Sequence, residues 1–285
     1  MTKQATVRNF LLLPKPSIDL VTLSVVFAMS SGLVFLSYAH ATNIVGPLAA
    51  IVLGSLLMNL SFTAWHESSH SNLSKFSWIN HTVGIFASFF SVYPGYFARR
   101  REHLAHHKWE GENGKDPVYE RIQTSGPLAF PWRVIEVNYL GKGNPAPIPQ
   151  DFLPLAKWQA ASDKISNYSI LALFLLAIYL GYGTTVLFVW VIPRVLVFVL
   201  HAYYICFFPH FISEGGYQKY RVYENSWWYR FITVEQNFHG IHHRWMTIPW
   251  HRYAAVYSAC REELIAAKIE FKNELNPTRL SLETR

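Results

Sequence analysis

Long apolar runs dominate the chain and predict membrane-spanning helices. The first run covers residues 18–39 and the second covers residues 44–65. Each is long enough to cross the roughly 30 Å of bilayer hydrocarbon, which takes about 20 helical residues. A third apolar block is longer than one crossing needs, and the Gly-Tyr-Gly turn at residues 181–183 divides it into residues 165–181 and 184–208. The pattern therefore predicts about four transmembrane helices in two hairpins.

A further apolar segment, residues 79–97, is predicted to be re-entrant or interfacial rather than spanning. A complete crossing there would separate the histidines before it from those after it by the thickness of the membrane. Residues 98–164 and 209–285 are predicted to lie in the cytoplasm as a histidine-rich cap. The expected fold is therefore a single all-α integral membrane domain over residues 1–285.

Composition supports a membrane location. Hydrophobic residues make up 51% of the chain and charged residues only 15%, whereas an ordinary soluble domain has roughly 25% charged residues. The net charge is +7, but the basic residues are spread along apolar sequence, so no nucleic-acid partner is expected. Lys3, Arg8 and Lys15 precede the first span, and three arginines at 99–101 precede the second histidine cluster. The positive-inside rule places both basic segments in the cytoplasm.

Three clusters hold eight of the thirteen histidines, and two of the clusters share the spacing His-x-x-His-His. Their members are His66 and His70; His103, His106 and His107; and His239, His242 and His243. Helical residues i, i+3 and i+4 lie along one stripe, so each cluster can direct several imidazoles towards a metal. A lone histidine is more often a hydrogen-bonded core residue than a ligand. That is the expectation for the isolated His40, His81, His201 and His251.

The number of clustered histidines predicts two metal ions, because eight imidazoles exceed the four ligands that one zinc ion normally uses. Ligation by nitrogen alone suits iron, copper, nickel or zinc, and affinity does not choose among them. The expected substrate indicates which kind of metal is needed. A lipid is the molecule that most readily reaches a site at the mouth of an apolar helix bundle, and oxidising its alkyl chain with O₂ requires a redox metal.

The clusters resemble the three histidine boxes of the membrane fatty acid desaturase and hydroxylase superfamily. The boxes read His-Glu-Ser-Ser-His at 66–70, Arg-Arg-Glu-His-Leu-Ala-His-His at 100–107 and Asn-Phe-His-Gly-Ile-His-His at 237–243. With the two hydrophobic hairpins, the resemblance covers essentially the whole chain. It implies a non-haem centre of two iron ions that uses O₂ and two electrons. Phe208-Pro209-His210 resembles the site of an additional ligand in some members, including carotenoid ketolases, which makes His210 a ninth expected ligand.

The expected activity is O₂-dependent desaturation of a lipid acyl chain. Hydroxylation or ketolation of a carotenoid ring is the alternative within the same superfamily, and the boxes do not decide between these outcomes, which depend on the placement of the substrate carbon. No convincing flavin, haem or iron–sulfur motif is present in the sequence. The electrons are therefore expected from a separate ferredoxin- or cytochrome-type protein that docks on the basic cytoplasmic face.

The first box also permits a different chemistry. His66-Glu67-Ser68-Ser69-His70 matches the His-Glu-x-x-His signature of zinc metalloproteases, in which Glu67 would activate the attacking water. In the di-iron interpretation, Glu67 instead accepts an imidazole N–H and orients a ligand. A membrane zinc protease would leave the two His-x-x-His-His boxes unexplained, and a transporter or a non-catalytic metal-binding protein needs fewer histidines.

Overall fold

The computed structural model describes residues 6–91, 95–124, 126–140, 142, 147–212, 217–224 and 227–273. These residues are mostly helical, which confirms the predicted all-α class. The longer helices are α2 (Leu20–Ala41), α3 (Pro47–Ser69), α4 (Ser77–Phe90), α5 (Tyr96–Trp109), α7 (Phe130–Tyr139), α8 (Lys157–Tyr179) and α9 (Gly183–His210). The shorter ones are α1 (Val7–Leu11), α6 (Tyr119–Ile122), α10 (Trp227–Thr233), α11 (His239–Arg244), α12 (Tyr253–Ala259) and α13 (Arg261–Ala266). Two strands, β1 (Arg221–Glu224) and β2 (Glu270–Asn273), pair in parallel.

Four of these helices, α2, α3, α8 and α9, are long and apolar enough to cross a membrane. They correspond to the four predicted spans, with most bounds shifted by a few residues. The largest shift is in α8, which begins at Lys157 rather than at residue 165. Its first two turns are polar, so an apolar pattern does not predict them. The side chain of Gln159 accepts a hydrogen bond from the backbone N–H of Ala156 and caps this end of the helix.

The chain forms two compact units. The first, called here the spanning unit, comprises residues 15–101 and 153–200. The second, called the histidine-rich unit, comprises the described parts of 1–14, 102–152 and 201–285. The prediction of a single domain concerns the whole chain and stays a prediction.

Helices α2 and α3 pack closely inside the spanning unit, around a core that includes Met29, Leu33 and Met58. A Cβ atom at Gly54 of α3 would lie 2.9 Å from the carbonyl oxygen of Val189. The absence of a side chain at Gly54 therefore allows α3 and α9 to approach backbone to backbone, as small residues do between membrane helices.

Helix α4 is shorter than a span, since its 14 residues extend only about 21 Å. The carbonyl oxygen of Phe89 in its last turn accepts a hydrogen bond of 2.7 Å from Nη2 of Arg194. This contact supplies the polar partner that an intramembrane arginine needs. Residues 92–94 of the predicted re-entrant segment lie outside the described residues. The re-entrant placement of α4 stays a prediction.

Helix α9 contains two π-helical segments, Val186–Val191 and Ala202–Phe207, and each ends just before a proline. A proline ring clashes with the carbonyl four residues earlier and removes one helical hydrogen bond. For Pro193 and Pro209 those carbonyls belong to Val189 and Ile205, which lie inside the π segments. Each wider turn accommodates the proline locally.

The histidine-rich unit has its own core beneath α11. Phe238, Ile241, Ile248, Tyr253 and Val256 are buried there together. Ile241 lies between the histidines of the third box and is fully buried, so the box helix is held by its apolar side. The site is thus built on packed structure rather than on a free loop.

Candidate metal centre

The second box lies on α5 and supplies two histidines from one helix face. His103 and His107 are four positions apart in the sequence, and their Nε2 atoms are 3.2 Å apart. Nε2 of His107 is 2.9 Å from Nε2 of His242, which belongs to the third box. We call His103, His107 and His242 group 1. Their ligand nitrogens all lie within 4.8 Å of one another.

His106, the remaining histidine of the second box, belongs to a different group from His103 and His107. Together with His210 and His243 it forms group 2, whose ligand nitrogens also lie within 4.8 Å of one another. All three side chains are buried. His239 adjoins group 2, since its Nε2 is 2.7 Å from Nε2 of His243. The histidine-rich unit therefore places six of the eight box histidines and His210 in or beside two groups.

Group 2 fits a metal ion because its hydrogen bonds leave lone pairs pointing inward. The Nδ1–H of His210 donates to the carbonyl oxygen of Gln218 at 2.8 Å, so its Nε2 carries a lone pair, and this buried atom has no hydrogen-bond partner. Nδ1 of His106 contacts the carboxylate of Asp116 at 2.8 Å, which fixes the same tautomer. Lone pairs that face each other repel unless a cation lies between them, and a divalent metal is such a cation.

His243 of group 2 is kept in the neutral form that metals bind. Burial lowers the pKa of His243 well below its ordinary value, and the positive charges of His239, His107, His210 and His106 would lower it further. A second charged imidazole is unfavourable so close to the first. At neutral pH the ring nitrogen of His243 is therefore available as a ligand rather than occupied by a proton.

Two carboxylates stand behind group 2, and the sequence analysis assigned neither of them a role. Asp116 is fully buried; burial alone would raise its pKa, but the charge and hydrogen bond of His106 and the N–H groups of Gly111 and Val118 lower it. Oε1 of Glu110 lies 2.8 Å from Nδ1 of His243. Burial raises the pKa of Glu110 to about 9, against the charge of Lys219. The available signal was position, because Glu110 follows His107 by one helical turn.

Group 1 has a different neighbour. The hydroxyl of Tyr253 lies 3.0 Å from Nδ1 of His242, so a phenol rather than a carboxylate holds that ring. His106 and His210 of group 2 and His242 of group 1 are thus directed by hydrogen bonds at Nδ1.

A family model described as fatty acid desaturase matches residues 41–272, which include all three boxes and His210. The chain belongs to the fatty acid desaturase family. This confirms the predicted resemblance and supports a desaturase- or hydroxylase-type oxidoreductase activity. Comparison with curated proteins finds no match, and comparison with solved structures finds none either.

The first box of this family member lies in the spanning unit, at the end of α3. His66 and His70 are on adjacent turns with ring centroids 4.8 Å apart. Two other side chains hold the last carbonyls of the helix: the hydroxyl of Tyr96 donates to Ser68 at 3.0 Å, and Nε of Arg100 donates to Ser69 at 2.9 Å. Arg100, expected as a topology signal, therefore also has a structural contact.

Glu67 lies within the first box and is fully buried. Its side chain is 0% exposed, and its Oε1 lies 3.3 Å from Nδ1 of His66. A carboxylate in this position can orient the imidazole of His66. The isolated histidines expected to be ordinary core residues include His40, whose Nδ1 lies 3.0 Å from the hydroxyl of Thr185, and His81, which contacts the hydroxyl of Tyr96 at 3.4 Å.

The spanning unit also contains an apolar cavity of about 700 Å³. Phe86, Phe90, Phe174 and Trp190 are among its lining residues, and so is the end of α2 that leads into the start of α3. His66 lies at the opposite end of α3, about 28 Å along a helix of this length. The cavity is therefore remote from the first box.

Proposed function

We propose that the chain is an O₂-dependent di-iron desaturase that acts on a lipid acyl chain, with its metal site on the cytoplasmic side of the membrane. The observation that carries the proposal is the presence of two imidazole groups in the histidine-rich unit, within a member of the fatty acid desaturase family. One metal ion would occupy each group. Bound iron would supply the activation of O₂ that oxidation of an unactivated C–H bond requires.

The proposed ligands are the eight box histidines and His210. His103, His107 and His242 would hold one ion, and His106, His210 and His243 the other, with His239 beside the second. The three-box pattern of the family supports including His66 and His70 in the ligand set. The nine residues offer nitrogen and no thiolate, which is compatible with iron, whereas the choice of iron over zinc rests on the redox chemistry that the family performs.

The proposed substrate is an acyl lipid, and a carotenoid ring oxidised by hydroxylation or ketolation is the alternative. Four apolar helices give a lipid direct access to the protein from the bilayer. We propose that a ferredoxin- or cytochrome-type protein delivers the electrons. A basic face suits such donors, because complementary charge accelerates their association.

Metal analysis and product analysis test the proposal together. Protein purified without oxygen is expected to contain about two iron ions per chain, one for each group. Lipids and pigments of a heterologous host are then profiled with the intact chain and with His106→Ala as the inactive control. An O₂-dependent unsaturated acyl product supports the proposal, whereas an oxidised carotenoid selects the alternative. One zinc ion and no iron in active protein would contradict the di-iron assignment.

Accessibility tags test the proposed membrane orientation. Tags at residue 1, near Gly143 and at residue 285 are expected to report the cytoplasm, and a tag at Gly183 the opposite side. Residue 1, Gly143 and residue 285 lie outside the described residues, so this experiment rests on the charge pattern of the sequence. An exterior report from the tag near Gly143 would mean that residues 79–97 cross the membrane, and a shared metal site would then be untenable.

A further inference from the structure

We propose that Asp116 is a positioning residue for the metal ion of group 2: it holds His106 by Nδ1 so that Nε2 of the same ring faces the group. The inference rests on the proposed function, because it assumes that group 2 binds iron. It adds that one ion of the pair depends on a carboxylate that the three-box pattern does not include.

Asp116 acts as a rigid acceptor for His106. Its Oδ1 lies 2.8 Å from Nδ1 of His106 and accepts the backbone N–H of Val118 at 2.8 Å, while its Oδ2 accepts the N–H of Gly111 at 2.9 Å. The backbone contacts fix the carboxylate before any metal binds. Because an imidazole carries its two nitrogens on opposite sides, fixing Nδ1 also fixes the direction of Nε2.

Glu110 lies beside the histidine that comes from the third box, but this contact is not a hydrogen bond. Its Oε1 is 2.8 Å from Nδ1 of His243, yet neither atom has a hydrogen-bond partner among the described residues. Burial raises the pKa of Glu110 to about 9, so its side chain is uncharged at neutral pH. The positioning role is therefore assigned to Asp116 alone.

The two groups differ in the residue that contacts Nδ1 of their histidines, and this difference makes the inference testable. A carboxylate at Nδ1 makes the imidazole a more basic ligand than a neutral partner does. Asp116 makes this contact with His106 of group 2, whereas His242 of group 1 faces the phenol of Tyr253. Loss of the Asp116 carboxylate should therefore weaken one iron site and leave the other unchanged.

The experiment titrates metal-free full-length protein in detergent with Fe(II) against a competing chelator, without oxygen, and records Mössbauer spectra with ⁵⁷Fe. The wild-type chain is expected to show two tight sites. In Asp116→Asn, one site should weaken roughly 10- to 100-fold, the effect typical of losing such a partner, and one doublet should change. Tyr253→Phe should instead perturb the other doublet.

A matched control makes the same chemical change elsewhere in the unit. Glu120 is a partly buried carboxylate that pairs with Arg133 at 3.0 Å, and Glu120→Gln is expected to retain both sites and both doublets. Asp116→Asn also disturbs two backbone contacts. If that variant fails to fold, Asp116→Ser decides, since a serine hydroxyl can still accept the backbone N–H of Val118 but offers no carboxylate to His106.

The outcomes separate this inference from the proposed function. A wild-type chain that binds no iron removes the proposed function, and the inference falls with it. A wild-type chain with two sites, combined with variants that keep both sites and both spectra, overturns the positioning role alone. Equal weakening of both sites in a variant also overturns it, because that result indicates a general structural effect.

Discussion

The second and third boxes have the same spacing, yet they divide their histidines in opposite ways. In the second box the i and i+4 histidines, His103 and His107, belong to group 1, and the i+3 histidine, His106, belongs to group 2. In the third box the i+3 histidine, His242, belongs to group 1 and the i+4 histidine, His243, to group 2. Adjacent helical residues point about 100° apart, so the two members of a His-His pair face two different groups.

The two boxes also differ in what holds them. The second lies within the 14 residues of α5, whereas α11 has only six. The third box is preceded by Val234 and Glu235, whose φ angles of 51° and 62° are unfavourable for residues with a side chain, above all for valine. A six-residue helix is not stable by itself. Tertiary packing therefore positions the third box, whereas regular helical structure positions much of the second.

The largest expected effect comes from removing one histidine of the His-His pair from each of the second and third boxes. His106→Ala and His242→Ala should each abolish turnover, because each deprives a different group of a ligand while leaving the spans unchanged. O₂-dependent lipid oxidation in membranes measures the loss, and membrane fractionation checks insertion. His251→Ala, which changes an isolated histidine, is the control and should remain active. Activity retained in either box variant would contradict the division into two groups.

A smaller effect is expected at Glu67, which belongs to the box without the His-x-x-His-His spacing. Glu67→Gln should lower metal affinity or activity roughly 10- to 100-fold at most, since the carboxylate acts through the ring of His66. Lipid oxidation and proteolysis are measured on this variant and on His243→Ala. Oxidation that survives Glu67→Gln but not His243→Ala supports the di-iron assignment. Proteolysis that ignores His243 and disappears with Glu67 would support the zinc protease.

The sequence was sufficient to predict the features that depend on local pattern. The four spans follow from apolar runs, and the grouping of i and i+4 histidines follows from helical periodicity. The start of α5 could not be predicted in this way. The backbone N–H groups of Phe97 and Ala98 donate to the carboxylate of Asp163 in α8, at 3.0 and 2.8 Å. A carboxylate is a favourable partner at a helix N-terminus, but this one is 65 residues away in sequence.

The same limit explains why Glu110 was missed. Its position one helical turn after His107 is equally that of a solvated glutamate at a helix end, and its contact with His243 depends on how distant segments pack. Asp116 was likewise assigned no role from the sequence. Its hydrogen bonds with Gly111 and Val118 are local, but its contact with His106 makes it relevant to the metal group.

The smallest predicted effect concerns the residue after the first histidine of the two His-x-x-His-His boxes, which is Leu104 in the second box and Gly240 in the third. A Cβ atom at Gly240 would lie 2.6 Å from the backbone nitrogen of Arg221 and 2.8 Å from its carbonyl carbon and oxygen. These are backbone atoms of β1, which cannot rotate away as a side chain can. Gly240→Ala should therefore push α11 from the strand and destabilise the protein by about 1–3 kcal/mol.

Thermal unfolding of the purified protein in detergent measures this destabilisation, and iron content shows whether His239 and His243 remain in place. Leu104→Ala is the comparison, because it changes the equivalent position in a helix that already accommodates a large, partly buried side chain there. It should lower stability less than Gly240→Ala, even though it removes more atoms. A midpoint for Gly240→Ala equal to that of the wild type would mean that α11 does not approach β1 so closely, and the third box would then be held by its apolar core alone.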